Sequence, residues 1–258
     1  MSYFTQKGAT GPLGFAQTST DGNLGSLVGS RFETSDGREF VLVQNAGTAL
    51  AQGKLVQGPA SIGANHAGLV TATAAAGATS LTLTLGGTAV TANQYAGGYV
   101  NTVQGTGLGQ TLKIASHLAG TTVAAVVFNL EDPVQVATSV SDTLSTLSLN
   151  PYGSSNGTDV RTSGVVICPT TLTGQVIGVS NSPIAASTST VPSYGFIQYK
   201  GPCAVLNRAS TTIGLNVGTS SSTTAGACET YAAATNTLVG AATVAGADGK
   251  YNIVTLNI

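Results

Sequence analysis

Thr79-Ser-Leu-Thr-Leu-Thr-Leu85 alternates an aliphatic residue with a small polar one along its length. Successive side chains of a strand point to opposite faces, so Leu81, Leu83 and Leu85 share one face and Thr82 and Thr84 the other. One buried face and one wet face are what an antiparallel sheet needs, and the rest of the chain follows suit.

Before this stretch, residues 38–43 (REFVLV) are β-branched and aromatic, Asn45-Ala46-Gly47 is a turn, and residues 53–56 start a return that Gly58-Pro59 stops. After it, strand patterns fall at 98–104, 110–115, 122–130, 134–138 and 144–149. Beyond the turn-rich NPYGSSNGTD they continue at 164–168, 175–179, 194–200, 204–206, 211–217, 237–244 and 251–258. Gly201-Pro202 closes the strand at 194–200. Spacing of about 8–12 residues with turn signals between is the pattern of sandwiches and barrels. The Ala-rich stretches 71–78 and 230–235 are broken by glycine and small polar residues, which disfavours helix. The expected class is all-β: a β-sandwich or barrel main domain, an inserted β-barrel-like domain and an extended N-terminal arm. Residues 1–35 form the arm, 36–65 plus 151–258 a discontinuous main domain, and 66–150 the insert, because insertions are tolerated where loop ends lie close. One continuous large sandwich is the rival arrangement.

The 258 residues are 42% hydrophobic and only 7% charged, against about 25% charged in an ordinary soluble domain. Disordered chains are charged and poor in aliphatics, so this composition, with a mean hydropathy of +0.26, points to order. It also leaves a surface of Ser, Thr, Asn, Gln, Gly and Ala, suited to an exterior covered by neighbours or to a very stable extracellular protein. Nine basic and ten acidic residues give a net charge of −1, and no basic run occurs. Neutralising several phosphates needs clustered Lys and Arg, so nucleic acid is not an expected partner. The start, MSYFTQKGATGPLG, has no apolar leader core, and the longest apolar run, around 123–128, falls far short of the ~18 residues of a membrane helix. Neither export by that route nor a membrane partner is expected.

Chemistry-bearing residues are sparse. Cys168, Cys203 and Cys228 are odd in number and widely spaced, unlike a disulfide framework or a zinc site, and are expected to be buried free thiols. Neither His66 nor His117 has an acidic residue within six positions. Glu131 and Asp132 are the only adjacent carboxylates, and Pro133 after them marks a strand end running into a turn. With no Trp, an aromatic-walled sugar cleft flanked by two carboxyls is hard to build. Gly105-Thr-Gly-Leu-Gly109 resembles a phosphate loop, but Gln110 stands where the fingerprint needs glycine and a strand pattern follows, so a glycine-rich hairpin is expected. No catalytic residue, cofactor or metal site is expected, and the chain is not expected to be an enzyme. Tyr194-Gly-Phe-Ile-Gln-Tyr-Lys200 is the richest aromatic stretch, with Tyr194 and Phe196 on one face and Ile197 and Tyr199 on the other. Such a strand is either central in a core or sandwiched at a subunit contact. Tyr194, Phe196 and Tyr199, with Tyr3, Phe4 and Phe15 of the arm, are the candidate interaction residues.

The stretch Asp36 to Val56, DGREFVLVQNAGTALAQGKLV, resembles the opening hairpin of structural proteins from tailed-bacteriophage virions. Thr91-Ala-Asn-Gln-Tyr-Ala-Gly-Gly-Tyr99, Gly107-Leu-Gly-Gln-Thr-Leu-Lys-Ile114 and Leu130-Glu-Asp-Pro133 are similar to stretches of the same proteins. So are Asn150-Pro-Tyr152 and Tyr194 to Leu206, and the set runs in order from about residue 31 to 258. The resemblance implies a head decoration or cement protein on the capsid exterior, assembled in the host cytoplasm. It further implies that the chain forms a homotrimer bound to the major capsid protein, with no catalytic residues to carry over. A receptor- or glycan-binding head spike or fibre module and a tail structural component remain alternatives. Binding of the isolated protein to cells or glycans would favour the former, and position in the particle the latter.

Overall fold

The structure is a computed structural model that describes residues 4–6, 9–11, 19–20, 22–65, 68–154, 162–221, 224–232 and 236–258. Strands make up nearly all of its regular structure; among these residues the helices are two short 3-10 turns, Gly22–Leu27 and Gly63–Asn65. The chain divides into two units. The first takes the described residues up to Pro59, then 151–154 and 162–258. The second is Ala60–Asn150, a continuous segment between those parts.

The first unit opens with β1 (Phe4–Gln6), β2 (Ala9–Gly11), β3 (Arg31–Glu33), β4 (Glu39–Asn45) and β5 (Lys54–Gln57). The second holds β6 (Leu69–Val70), β7 (Ser80–Thr84), β8 (Tyr99–Gln104), β9 (Thr111–His117), β10 (Ala125–Leu130) and β11 (Leu144–Ser148). The first then resumes with β12 (Val166–Ile167), β13 (Val176–Ser180), β14 (Ser193–Leu206), β15 (Asn216–Thr219), β16 (Cys228–Thr230), β17 (Leu238–Ala242) and β18 (Tyr251–Asn257).

In the first unit a twelve-stranded sheet runs β16-β15-β17-β18-β14-β4-β3-β1-β2, with β5 joined to β12 and β13, and β13 also to β14. The N-terminal arm contributes to this sheet, since β1 pairs with both β2 and β3. Strand β14 is the hub. Its first half pairs with β4, from Ser193 opposite Asn45 to Lys200 opposite Glu39, and is buried on both faces. Tyr194 and Phe196 pack with Phe32, Phe40 and Leu42, the Phe32 and Phe196 rings meeting edge to face at 5.0 Å. Ile197 and Tyr199 pack on the other side with Val41, Val43, Leu50 and Val56.

Gly201-Pro202 does not end this strand, contrary to the expectation from sequence. Gly201 takes φ +85, which a side chain would resist, and the strand continues past it along β18 to Leu206. Proline is tolerated because pairing with β4 stops at Lys200. Opposite Thr255 it occupies a pair that needs no N–H, and its carbonyl turns away to accept from Gln198 Nε2 at 2.9 Å. The inward residues of this half, Cys203 and Val205, join Val254, Leu256, Val217 and Val239 in a third cluster. Where the chain leaves this unit and returns, Gly58 and Pro151 touch: a Cβ on Gly58 would lie 2.7 Å from the Pro151 carbonyl oxygen.

The second unit is a six-stranded antiparallel sheet in the order β6-β11-β8-β9-β10-β7, and a bridge between Thr71 and Leu83 brings the two edges together into a nearly closed barrel. Its interior is the inward face of each strand: Leu81 and Leu83 with Leu85 just beyond β7, Val100, Leu112, Ile114, Val126, Phe128 and Leu147, all within 5% of complete burial. Burying each such side chain contributes about 1.5–3 kcal/mol. Residues 105–109 turn between β8 and β9 as a hairpin. The stretch 134–138 is not a strand. The Gln110 side chain takes the place of a neighbouring strand there, accepting from the Gln135 and Val136 N–H groups and donating to the Val136 carbonyl at 3.0 Å.

Candidate interaction surface

The residues singled out from the sequence fall in three places. Tyr3 and Phe15 lie outside the described residues, and so does the side chain of Phe4, whose backbone belongs to β1. Tyr194, Phe196 and Tyr199 are at most 9% exposed and serve the chain's own core. Tyr199 keeps a polar role: its hydroxyl donates to Glu39, which also pairs with Lys200, while the Arg31 guanidinium lies 5.1 Å from the ring centre. These donors hold the Glu39 carboxyl below its usual range.

The other described candidates are held by neighbours in the fold. His66 is outside the described residues. His117 is 3% exposed and packs 4.8 Å from the Phe128 ring. Its Nε2 accepts from the Tyr95 N–H at 3.0 Å, so Nδ1 carries the proton and donates to the Leu118 carbonyl at 2.8 Å. Burial lowers its pKa, and both nitrogens of the neutral ring are occupied. Glu131 pairs with Lys113 Nζ at 2.7 Å, and Asp132 accepts from the Lys113 N–H. Cys168, Cys203 and Cys228 are buried free thiols pushed up to about 12 by burial.

What the sequence reading passed over is the outward face of β14, β18 and β17. Opposite residues of an antiparallel pair share a face. Pro202 and Thr255, Ala204 and Ile253, and Leu206 and Tyr251 are such pairs, and Ala241 lies beside Thr255. Thr243 joins them, its hydroxyl 3.0 Å from that of Thr255. None of these eight residues is charged, and the two largest, Tyr251 at 57% and Ile253 at 44%, are well exposed. The signal was present in Tyr251-Asn-Ile-Val-Thr-Leu-Asn257: Val254 and Leu256 point inward, yet the opposite parity also carries large apolar side chains. A strand apolar on both faces has a second surface to cover.

Beside this strip opens a cleft of about 450 Å³, walled by Arg38, Gln52, Gly53, Asn181, Pro202, Cys203, Ala204 and Tyr251. Tyr251 forms one wall because Gly53 has no side chain: a Cβ there would lie 2.3 Å from the ring. The Tyr251 hydroxyl donates to the Gln52 carbonyl at 3.2 Å, which fixes the far end of the ring. At the floor, the Cys203 thiol donates to Asn181 Oδ1 at 2.8 Å, and Asn181 Nδ2 donates to Gln198 Oε1 at 2.6 Å. Among the described residues, no group of three or more His, Cys, Asp or Glu is placed to hold a metal ion. Compared with known protein families, curated proteins and solved structures, the chain gives no match.

Proposed function

We propose that this chain is a structural protein of a tailed-bacteriophage virion, which binds the outside of the capsid and stabilises the shell as a decoration or cement protein. The observation that carries the proposal is the uncharged strip on β14, β18 and β17, a ready-made contact face in a chain with only 7% charged residues. The resemblance expected from the sequence between residues 31 and 258 is the starting point of the same reading. In it the partners are the major capsid protein and further copies of this chain, as a homotrimer, and the task is attachment rather than turnover.

The physics suits the task. Packaged DNA presses outward, so contacts that join capsomers must hold at any ionic strength. Apolar and hydrogen-bonded contacts do so, whereas exposed ion pairs weaken as salt screens them. A standard interface buries ~1,600 Å², and an oligomer that makes several at once leaves slowly even when each is modest.

The test is to locate the chain on purified virions and to compare particles that carry it, lack it, or carry Ile253→Asp. Density on the head and a lower heat tolerance without the chain are expected. The folded variant should occupy the shell about tenfold less or worse, because it places a charge where apolar area is covered. Density on the tail alone, or equal heat tolerance without the chain, would refute the proposal.

A further inference from the structure

The cleft beside the strip has a chemistry of its own. Arg38 is its one charged wall. Its Nε donates to Asp36 Oδ2 at 2.8 Å, and the Asp36 carboxyl is held low, chiefly by the Thr34 hydroxyl that donates to it. Among the described residues the terminal nitrogens of Arg38 meet no acceptor, and the Gln52 side-chain amide makes no hydrogen bond. Arg38 lines the open cleft, its guanidinium 5.7 Å from the Phe40 ring centre, and its terminal N–H groups supply the fork geometry that matches a carboxylate. Around the cleft stand the Tyr251 ring, Pro202 and Ala204, which are also the near margin of the uncharged strip.

We propose that the cleft takes an acidic side chain, Asp or Glu, from the protein segment that docks on the strip, with the carboxylate on Arg38 and flanking apolar residues along Ala204, Ile253 and Thr255. The occupant is thus an extended segment of a shell protein in which one carboxylate is followed by apolar residues. Charge complementarity selects it: a single cation, its Nε already on Asp36, in a cleft of apolar and amide groups suits one carboxylate, whereas a phosphate-rich polymer would need several cations. Gln52 supplies an amide for the segment's backbone. The assignment rests on the shell-attachment reading, and the apolar strip contributes area while the cleft sets register.

The test is rebinding of the purified full chain to shells prepared without it, measured against protein concentration and salt. Wild type is expected to bind with a shallow loss of affinity as salt rises. Arg38→Met should bind about tenfold or more weakly and lose that salt dependence. Ala204→Phe fills the mouth of the cleft from an exposed position without touching the charge, and should weaken binding to a similar extent. If Arg38→Met fails to fold, Ala204→Phe still decides. Unchanged binding by both folded variants, while Ile253→Asp fails to bind, would overturn the cleft assignment and leave shell attachment standing. Failure of wild type to bind any such shell would overturn both.

Discussion

Replacing Phe128 by alanine, alongside Val127 by alanine, tests the register of the second unit. Phe128 is fully buried, its ring centre 4.8 Å from that of His117 and 6.4 Å from that of Tyr95. Truncation removes the ring's transfer energy and leaves a cavity among side chains that cannot all collapse into it, about 3–5 kcal/mol in sum. Val127, next along β10, points outward opposite Thr82 and is 50% exposed. Its truncation should cost less than about 1 kcal/mol. Urea unfolding followed by far-ultraviolet circular dichroism and tyrosine fluorescence would measure both, with Tyr95 reporting from beside the new cavity. Because strands have a period of two, a slip by one residue would exchange the two positions. Equal costs, or a Phe128→Ala cost under about 1 kcal/mol, would refute the packing described.

Two further outcomes follow. His117 is buried neutral with a lowered pKa, so the unfolded chain binds its proton first as pH falls through about 6.5. Its contribution is complete above that pH and declines below it, toward the depressed folded value, by up to about 1.4 kcal/mol per pH unit. Denaturation at pH 7.5 and 5.5 should show the loss in wild type and a smaller one in His117→Gln; equal losses would contradict the assignment. The three thiols, each pushed up to about 12 by burial, should resist a thiol-reactive dye at pH 8 and react together once urea unfolds the chain. Rapid labelling of the native protein would show that the clusters around them are more open than described.

Elements whose patterns are local were readable in advance. Leu81, Leu83 and Leu85 declared their face because nothing but period two was needed to place them. Three-residue strands such as Arg31–Glu33 and Cys228–Thr230 were not readable, since they exist only through partners supplied by β4 and β15. Gly201-Pro202 misled because proline breaks a strand only where its N–H is required, and that depended on where β4 stops. At 134–138 an apolar run imitated a strand, while a side chain, Gln110, met its backbone. The aromatic stretch at 194–199 offered either core or contact; pairing with β4 on one edge and packing on both faces placed it in the core. The strip was half legible in the parity of residues 251–257. The cleft was not, because Arg38, Asn181 and Tyr251 meet only through the pairing of distant strands.

The meeting of Gly58 and Pro151 bears on how the polypeptide is made. Val41 must wait for Ile197, its neighbour in the finished sheet, while the ribosome adds about 150 residues, roughly 8–30 s at ~5–20 residues per second. Every strand between Leu69 and Ser148 has its partners within that same interval and can close early. Once closed, it holds its two ends near each other, so the late pairing spans a far shorter effective loop than the count of residues implies, and the entropic penalty of joining β4 to β14 falls accordingly.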